Sequence, residues 1–266
     1  MQTTIGWRIS AIPFCLLLSV PYPLQAACRE MDVARAFIPL AYAAELDATI
    51  QYFGHNFFQI TTGKGTKVIT DPLALGMYPA PNVAPHIVTI GREHPNHNYV
   101  ALARGHPVIL RGLIHFGADW NRVSMNIREV FIYSIPIYQN GVDGGFSKGA
   151  AFVFDLGTLC IAHLGNLSHL LSREQLKQMG KVDIALIPID GTVTMGPDVA
   201  RQVLQQLKPK IAIPMHYRDN LSLVREFRRG FNWYYLRGDM LTVSKSLLPP
   251  STEIFILKPQ DVRDDQ

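Results

Sequence analysis

Short apolar runs bounded by turn residues recur from residue 49 almost to the end of the chain, and this pattern limits the fold more than any other feature. They read as strands at Thr49–Phe53, Asn56–Thr61, Lys67–Thr70, Ile87–Ile90, Val108–Arg111, Val130–Ile137, Ala151–Asp155, Thr158–Ala162, Ile184–Ile189, Ile211–Pro214 and Glu253–Leu257. That is too many for one small sheet. Helical signals lie between the later runs. Ser172 precedes REQLKQMG, with Gln175 three residues on and Gly180 as a stop, which is a capping-box start and a glycine end. Pro197 opens DVARQVLQQLK, whose Val199, Val203, Leu204 and Leu207 share one helical face before Pro209. Asn220 caps LSLVREFRR. Strands in hairpins first, then strands alternating with helices, predict two packed sheets with helices outside them.

The chain has 266 residues, 48% hydrophobic and 17% charged, so it can bury a large core and is not a disordered chain. No linker or repeat divides it after residue 30, and the expected organisation is a leader over 1–27 and a single domain over 28–266. Arg8, the apolar run Ile9–Val20 and the small residues Ala26 and Ala27 form a secretory signal pattern, which implies a periplasmic or secreted protein. The run is short and broken by Pro13, so no stable membrane span is expected once the leader is removed. The net charge of +4 comes from scattered Lys and Arg, which disfavours a nucleic-acid partner. The mature chain would keep Cys28 and Cys160. They could form one disulfide, or Cys160 could be an inert core thiol; Cys28 after Ala26-Ala27 also raises a lipid-anchored N-terminus, against which Gln25 argues.

The segments IQYFGHNFFQI, KVITDPL, REHPNHNYVAL, PIYQNGVDGGFSKGAAFVF, IAHLGNLSHLLSREQL, VDIALIPIDG and KIAIPMHY occur in an order that resembles the metallo-β-lactamase superfamily. The resemblance is greatest to its branch of ascorbate-6-phosphate lactonase-like metal-dependent hydrolases, and it runs from about Thr49 to Leu257. It implies a four-layer αββα sandwich. It also implies a pair of divalent ions that lower the pKa of a bridging water, held by a His-x-His-x-Asp-His loop, a further His, a bridging Asp and a last His.

On this chain the first His position falls on Arg92, the second on His94, the Asp on Asn96 and the third His on His97. The fourth-loop His falls on Gln139, the bridging Asp on Asn166 and the last His on His216. A guanidinium offers only donors and repels a cation, and amides are poor zinc ligands. Counting side chains alone, the pocket moves by about three charge units toward positive, each worth about 4 kcal/mol at 4 Å and an effective dielectric near 20. The resemblance with these replacements implies a hydrolase relative depleted of metal, with no cofactor, whose old cleft binds a small anion or a partner through Arg92, His94, His97 and His216. The alternative is a hydrolase of ester, lactone or phosphoester bonds that keeps zinc or another divalent ion on His94, His97 and His216. The catalytic residues and the substrate are not assigned by the sequence.

Other polar residues take plainer readings. His55 in FGHNFF and Asp71 in ITDPL match positions that the resembled family uses to order strands and turns near the cleft, and read as a satisfied buried histidine and a turn-opening aspartate before Pro72; His163 reads as a core histidine. His169 reads as a helix-entry surface residue. His115 and Asp119 could supply replacement ligands from a variable loop, and Lys148 could face an anionic ligand from a glycine-rich hairpin. No Gly-x-Ser-x-Gly elbow is present, so serine-hydrolase chemistry has no support.

Overall fold

The computed structural model describes residues 28, 46–74, 76, 78–141, 144–218 and 220–259; the expected leader lies outside them. The strands in chain order are β1 (Ala48–Gly54), β2 (Phe57–Thr62), β3 (Lys67–Thr70), β4 (Ile87–Ile90), β5 (Val108–Arg111), β6 (Leu113–Ile114), β7 (Asp119–Trp120) and β8 (Ser124–Ile127). They continue as β9 (Val130–Asn140), β10 (Phe146–Asp155), β11 (Cys160–His163), β12 (Ile184–Pro188), β13 (Ile211–Met215), β14 (Asn232–Tyr235), β15 (Met240–Val243) and β16 (Glu253–Ile256). The helices are α1 (Arg173–Met179), α2 (Pro197–Leu207) and α3 (Leu221–Phe227).

Two mixed sheets form, one in the order β15-β1-β2-β3-β4-β5 and one in the order β14-β16-β13-β12-β11-β10-β9-β8. They pack face to face. Ile50, Tyr52, Phe58, Ile60 and Val68 of the first sheet meet Ile132, Phe152, Phe154, Ile161 and Leu186 of the second in one buried cluster. The strand period then separates the two faces of the second sheet. Along β10, Phe152 and Phe154 enter the cluster between the sheets, while Ala151 and Val153 enter a second cluster with Met179, Val203, Leu204 and Phe227 of the helices. A strand covered on both faces must be apolar throughout, which is why β10, β11 and β12 read as continuous hydrophobic runs.

The helices follow their sequence signals. Ser172 and Gln175 form the reciprocal capping box of α1, Pro197 opens α2, and the Asn220 side chain accepts from Ser222 N at the start of α3. The α/β sandwich is therefore as expected, with one difference in its outermost layer. Among the described residues the outer face of the first sheet is covered by irregular chain, where Leu73, Val83 and the short 3₁₀ turn Val100–Leu102 pack on Phe57, Ile69 and Val88. Cys28 is bonded to Cys160 and buried against the helical side, so the disulfide reading holds over the inert thiol. Among the described residues no helix is long and apolar enough to cross a membrane.

Candidate active site

The loops that leave β1, β3, β4, β11, β12 and β13 converge, and their convergence depends on two glycines. A Cβ on Gly91 would fall 2.5 Å from the Ala150 carbonyl oxygen, and one on Gly165, where φ is +53°, would fall 2.7 Å from the same atom. Only glycine lets the chain carrying Arg92 and the chain carrying Asn166 close on β10 from two sides. Three other residues of these loops, His55, Asp71 and His216, adopt left-handed φ of 54°, 40° and 56°. His and Asp tolerate that region better than most side chains, yet such residues persist only where surrounding contacts hold them.

Three imidazoles meet there. The side chains of His55, His97 and His216 are buried and can each direct one ring nitrogen into a group spanning no more than 4.8 Å. His55 Nε2 lies 3.3 Å from His97 Nε2, and the His55 and His216 ring centres are 3.9 Å apart. Two of the rings are backed by carboxylates. His97 Nδ1 is 3.1 Å from Asp71 Oδ2, whose other oxygen accepts from Gly91 N at 2.6 Å. His216 Nδ1 is 2.8 Å from Asp190 Oδ2, an ion-pair contact that is not aligned as a hydrogen bond. With the His97 proton directed at Asp71, its Nε2 presents a lone pair to the group.

Charge follows from burial. Burial, reinforced by the neighbouring His216 and His97, drives His55 protonation far below the ordinary imidazole range. Burial, then His216 and Arg92, does the same for His97, and burial lowers His163 against the pull of Asp71. Burial pushes the Asp71 carboxyl up to about 6. It opposes ionisation of Asp190 as well, but contact with His216 and two hydrogen bonds from Thr192 win and hold that carboxyl low. At neutral pH His55 and His97 are therefore neutral and the two carboxylates behind the group are anionic, which is the protonation state a metal requires.

Of the residues expected at the site, the structure brings His97, Asn166 and His216 together. It leaves out of that group His94, whose ring is exposed, and Asn96, which is half-exposed and whose backbone N–H meets His94 Nδ1. The three-histidine set anticipated through His94 is completed instead by His55. The reason is the β1–β2 turn, where the pairing shifts register between Tyr52 and Gly54 and the left-handed backbone turns His55 inward. Asn166 Oδ1 accepts from Asn56 Nδ2 at 2.7 Å, so its amide nitrogen faces His97 Nε2 at 3.4 Å. Arg92 is half-buried near Asp71 and has no ion-pair partner among the described residues. Gln139 is buried with an unpartnered Oε1. His55 is buried, as read, but its Nδ1 has no hydrogen-bond partner among the described residues and its ring joins the group; Asp71 keeps its place before Pro72 and also backs His97, and Asp190 was not anticipated. His163 Nε2 meets the Asn56 carbonyl at 2.9 Å, in keeping with a core position. Lys148 faces Asp119 and the Ala118 carbonyl instead of an open cleft, and His115 and Asp119 supply no ligand to the group.

These residues fit one ion and not the family's pair. Two nitrogens held at about 2.0–2.1 Å by one tetrahedral ion stand roughly 3.3–3.4 Å apart, which matches the His55–His97 separation of 3.3 Å. That contact also serves as a hydrogen bond between the two rings, while His55 Nδ1 has no hydrogen-bond partner among the described residues. A second ion would have to use Arg92 and Gln139 in place of imidazoles, and it finds no anionic ligand there.

The family comparison agrees with this architecture. Residues 49–216 match the model of the β-lactamase superfamily domain. The chain belongs to the metallo-β-lactamase superfamily. It is 27% identical over 235 residues to a protein of Thermococcus onnurineus named a metal-dependent hydrolase, covering 80% of this chain and 97% of the relative. A Natranaerobius thermophilus protein of the same description is 23% identical over 241 residues, covering 80% and 97%. A crystal structure from Thermotoga maritima, described as a candidate zinc-dependent hydrolase of the metallo-β-lactamase superfamily, superposes with a TM-score of 0.62 at 26% identity. It covers 79% of this chain and all of the other.

Proposed function

We propose that this protein is an exported hydrolase of ester, lactone or phosphoester bonds that uses a single divalent ion held by His55, His97 and His216. The observation that carries the reading is the convergence of three buried imidazoles, two of them backed by Asp71 and Asp190. The names of the relatives as metal-dependent hydrolases support it. The Cys28–Cys160 disulfide supports an oxidising compartment.

A bound ion supplies Lewis acidity, which polarises a substrate oxygen and acidifies water at the site. The chain supplies the rest. Asp71 fixes the His97 tautomer and orientation, and Asp190 anchors His216 from behind. The Arg92 guanidinium, a permanent cation at the edge of the group, is placed to pair with a substrate carboxylate or phosphate, or with the oxyanion that develops as the bond breaks. The replacement that removes one family ligand thereby becomes a substrate contact. The Asn166 amide N–H competes with the ion for His97 Nε2, so the ion should bind less tightly than in a centre with a bridging aspartate.

Metal analysis of the purified full-length product tests this. The expected result is one equivalent of zinc, manganese or iron, lost in His55→Ala and His216→Ala but retained in His94→Ala, together with metal-dependent cleavage of nitrophenyl esters or phosphodiesters. A second reading, an anion-binding protein without metal, draws on the unpaired Arg92 and on the donor that Asn166 aims at His97. It predicts substoichiometric metal after growth with all three metals added, and stabilisation by phosphate that disappears in Arg92→Ala; that pair of results would overturn the hydrolase reading.

A further inference from the structure

The end of the sandwich opposite the histidines carries a buried carboxylate with an incomplete environment. Asp155, at the end of β10, is 2% exposed. One oxygen accepts from Gly157 N at 2.8 Å and the other from the main-chain nitrogen of Cys28 at 3.2 Å. Among the described residues no cationic side chain pairs with it. The neighbouring buried carboxylate, Asp183, does have a cation, Lys245 Nζ at 2.6 Å. Burying a carboxylate without a counter-charge is costly, and a peptide N–H supplies a hydrogen bond but no charge.

The missing charge is one bond away. We propose that the exported chain is cut between Ala27 and Cys28, and that the new α-ammonium of Cys28 pairs with Asp155 beside the Cys28–Cys160 disulfide. Cys28 is fixed for this role. It is completely buried, its sulfur is bonded to Cys160, and its carbonyl accepts from Lys181 N at 2.9 Å. Hydrolysis adds one water across the Ala27–Cys28 peptide bond, leaving a carboxylate on Ala27 and a primary amine on Cys28. That amine takes a proton, since α-amino groups titrate near about 7.7–8.0 even without an anionic neighbour. The contact at Asp155 Oδ2 changes from a neutral hydrogen bond to a buried ion pair. Closing the disulfide removes two electrons and two protons from the thiols, which pass to a disulfide-bearing thiol oxidase of the receiving compartment. A sulfur committed to Cys160 cannot also carry a thioether-linked lipid, so the same geometry argues against anchoring at Cys28.

The proposal rests on the export part of the functional reading and not on the hydrolase part. The test is expression of the full-length precursor in a Gram-negative host, followed by intact-mass measurement and N-terminal sequencing of the purified protein without reductant. The expected product begins at Cys28, carries an unmodified amine and weighs two hydrogens less than its reduced form. Export with cleavage at any other bond, or a lipid mass on Cys28, overturns the latch but leaves export standing; a full-length product confined to the cytoplasm overturns both. Amine acetylation adds a readout that folding alone would not move. The Cys28 amine should stay unlabelled while surface lysines react, and should become reactive in Asp155→Asn. An amine equally protected in Asp155→Asn, or labelled at once in wild type, removes the ion pair.

Discussion

The two ends of this sandwich bury polar groups in opposite ways, and the strand β11 runs from one to the other, with Cys160 at its start and His163 at its finish. At the Cys160 end the buried carboxylates both accept hydrogen bonds, and what Asp155 lacks among the described residues is a counter-charge and not a donor. Asp183 accepts from Cys160 N and from Lys245 Nζ, and Asp155 from Gly157 N and Cys28 N. At the His163 end, His55 Nδ1, Asn56 Oδ1, Gln139 Oε1 and His163 Nδ1 have no hydrogen-bond partner among the described residues, and His55, Asp71 and His216 hold left-handed backbone. Unsatisfied buried atoms each cost about 1–3 kcal/mol. One end spends its polar groups on holding the fold, while the other tolerates a deficit that a bound ligand can relieve.

The sharpest way to break that contrast is to remove a histidine. His97→Ala and His216→Ala are expected to abolish metal retention and turnover while the metal-free proteins still unfold cooperatively, as read by metal analysis and thermal melting. If either variant fails to fold, the histidines are structural and the contrast between the ends disappears. Next comes Asp71→Asn, which keeps the shape of the side chain but weakens the group that orients His97. Metal affinity should fall by about 10–100-fold, measured by competition with a chelating dye, with the stoichiometry at saturation unchanged.

Acidification separates the ends by their protons. His55, His97 and His163 have folded pKa values below their unfolded ones, so the stability they allow is present above about pH 6.5 and is lost as pH falls below it. Asp71 acts in the other direction: its folded value of about 6 exceeds the ordinary aspartate value of 3.8, so it adds stability as pH falls from about 6 toward 4. Each histidine that gains a proton on unfolding costs about 1.4 kcal/mol per pH unit, and Asp71 offsets about one of them. The net expectation is a steep fall in melting temperature between pH 6 and pH 4. In a variant with His55 and His163 changed to Gln, the fall should largely vanish; an unchanged slope would place the acid sensitivity elsewhere.

Much of this was legible in the chain. Ser172 with Gln175, Pro197 and Asn220 fixed helix starts because capping is a local interaction. The apolar runs gave most strands of both sheets, since burial on both faces leaves a continuous signal. The edge strand β5 was legible, but the edges β8, β14 and β15 were not: β14, whose sequence NWYY is exposed throughout, carries no period-2 burial pattern. Within the site, His97, Asn166 and His216 were found through their order in the chain. His55 was noted near the cleft but read as structural, because its place in the group depends on a register shift in the first hairpin and on contact with a residue 42 positions away. Asp190 escaped for the same reason, and the charge count, being a difference from the family pattern, took no account of the carboxylates of Asp71 and Asp190 that stand behind the group.

Gln139 offers the smallest effect and tests the boundary of the site. It stands where the family pattern would place a further histidine, it is 3% exposed, and its Oε1 has no hydrogen-bond partner among the described residues. If the ion depends only on His55, His97 and His216, Gln139→Met keeps the volume, removes an unsatisfied acceptor, and should shift stability by less than about 1 kcal/mol in either direction. Metal stoichiometry should not change. A variant that folds but loses its metal would extend the ligand set to β9 and restore the wider site anticipated from the family pattern. A variant stabilised by more than that would mean that the orphaned oxygen is a pure cost, retained for the substrate and not for the ion, and measuring KM and kcat separately in that variant would show it as a rise in KM alone.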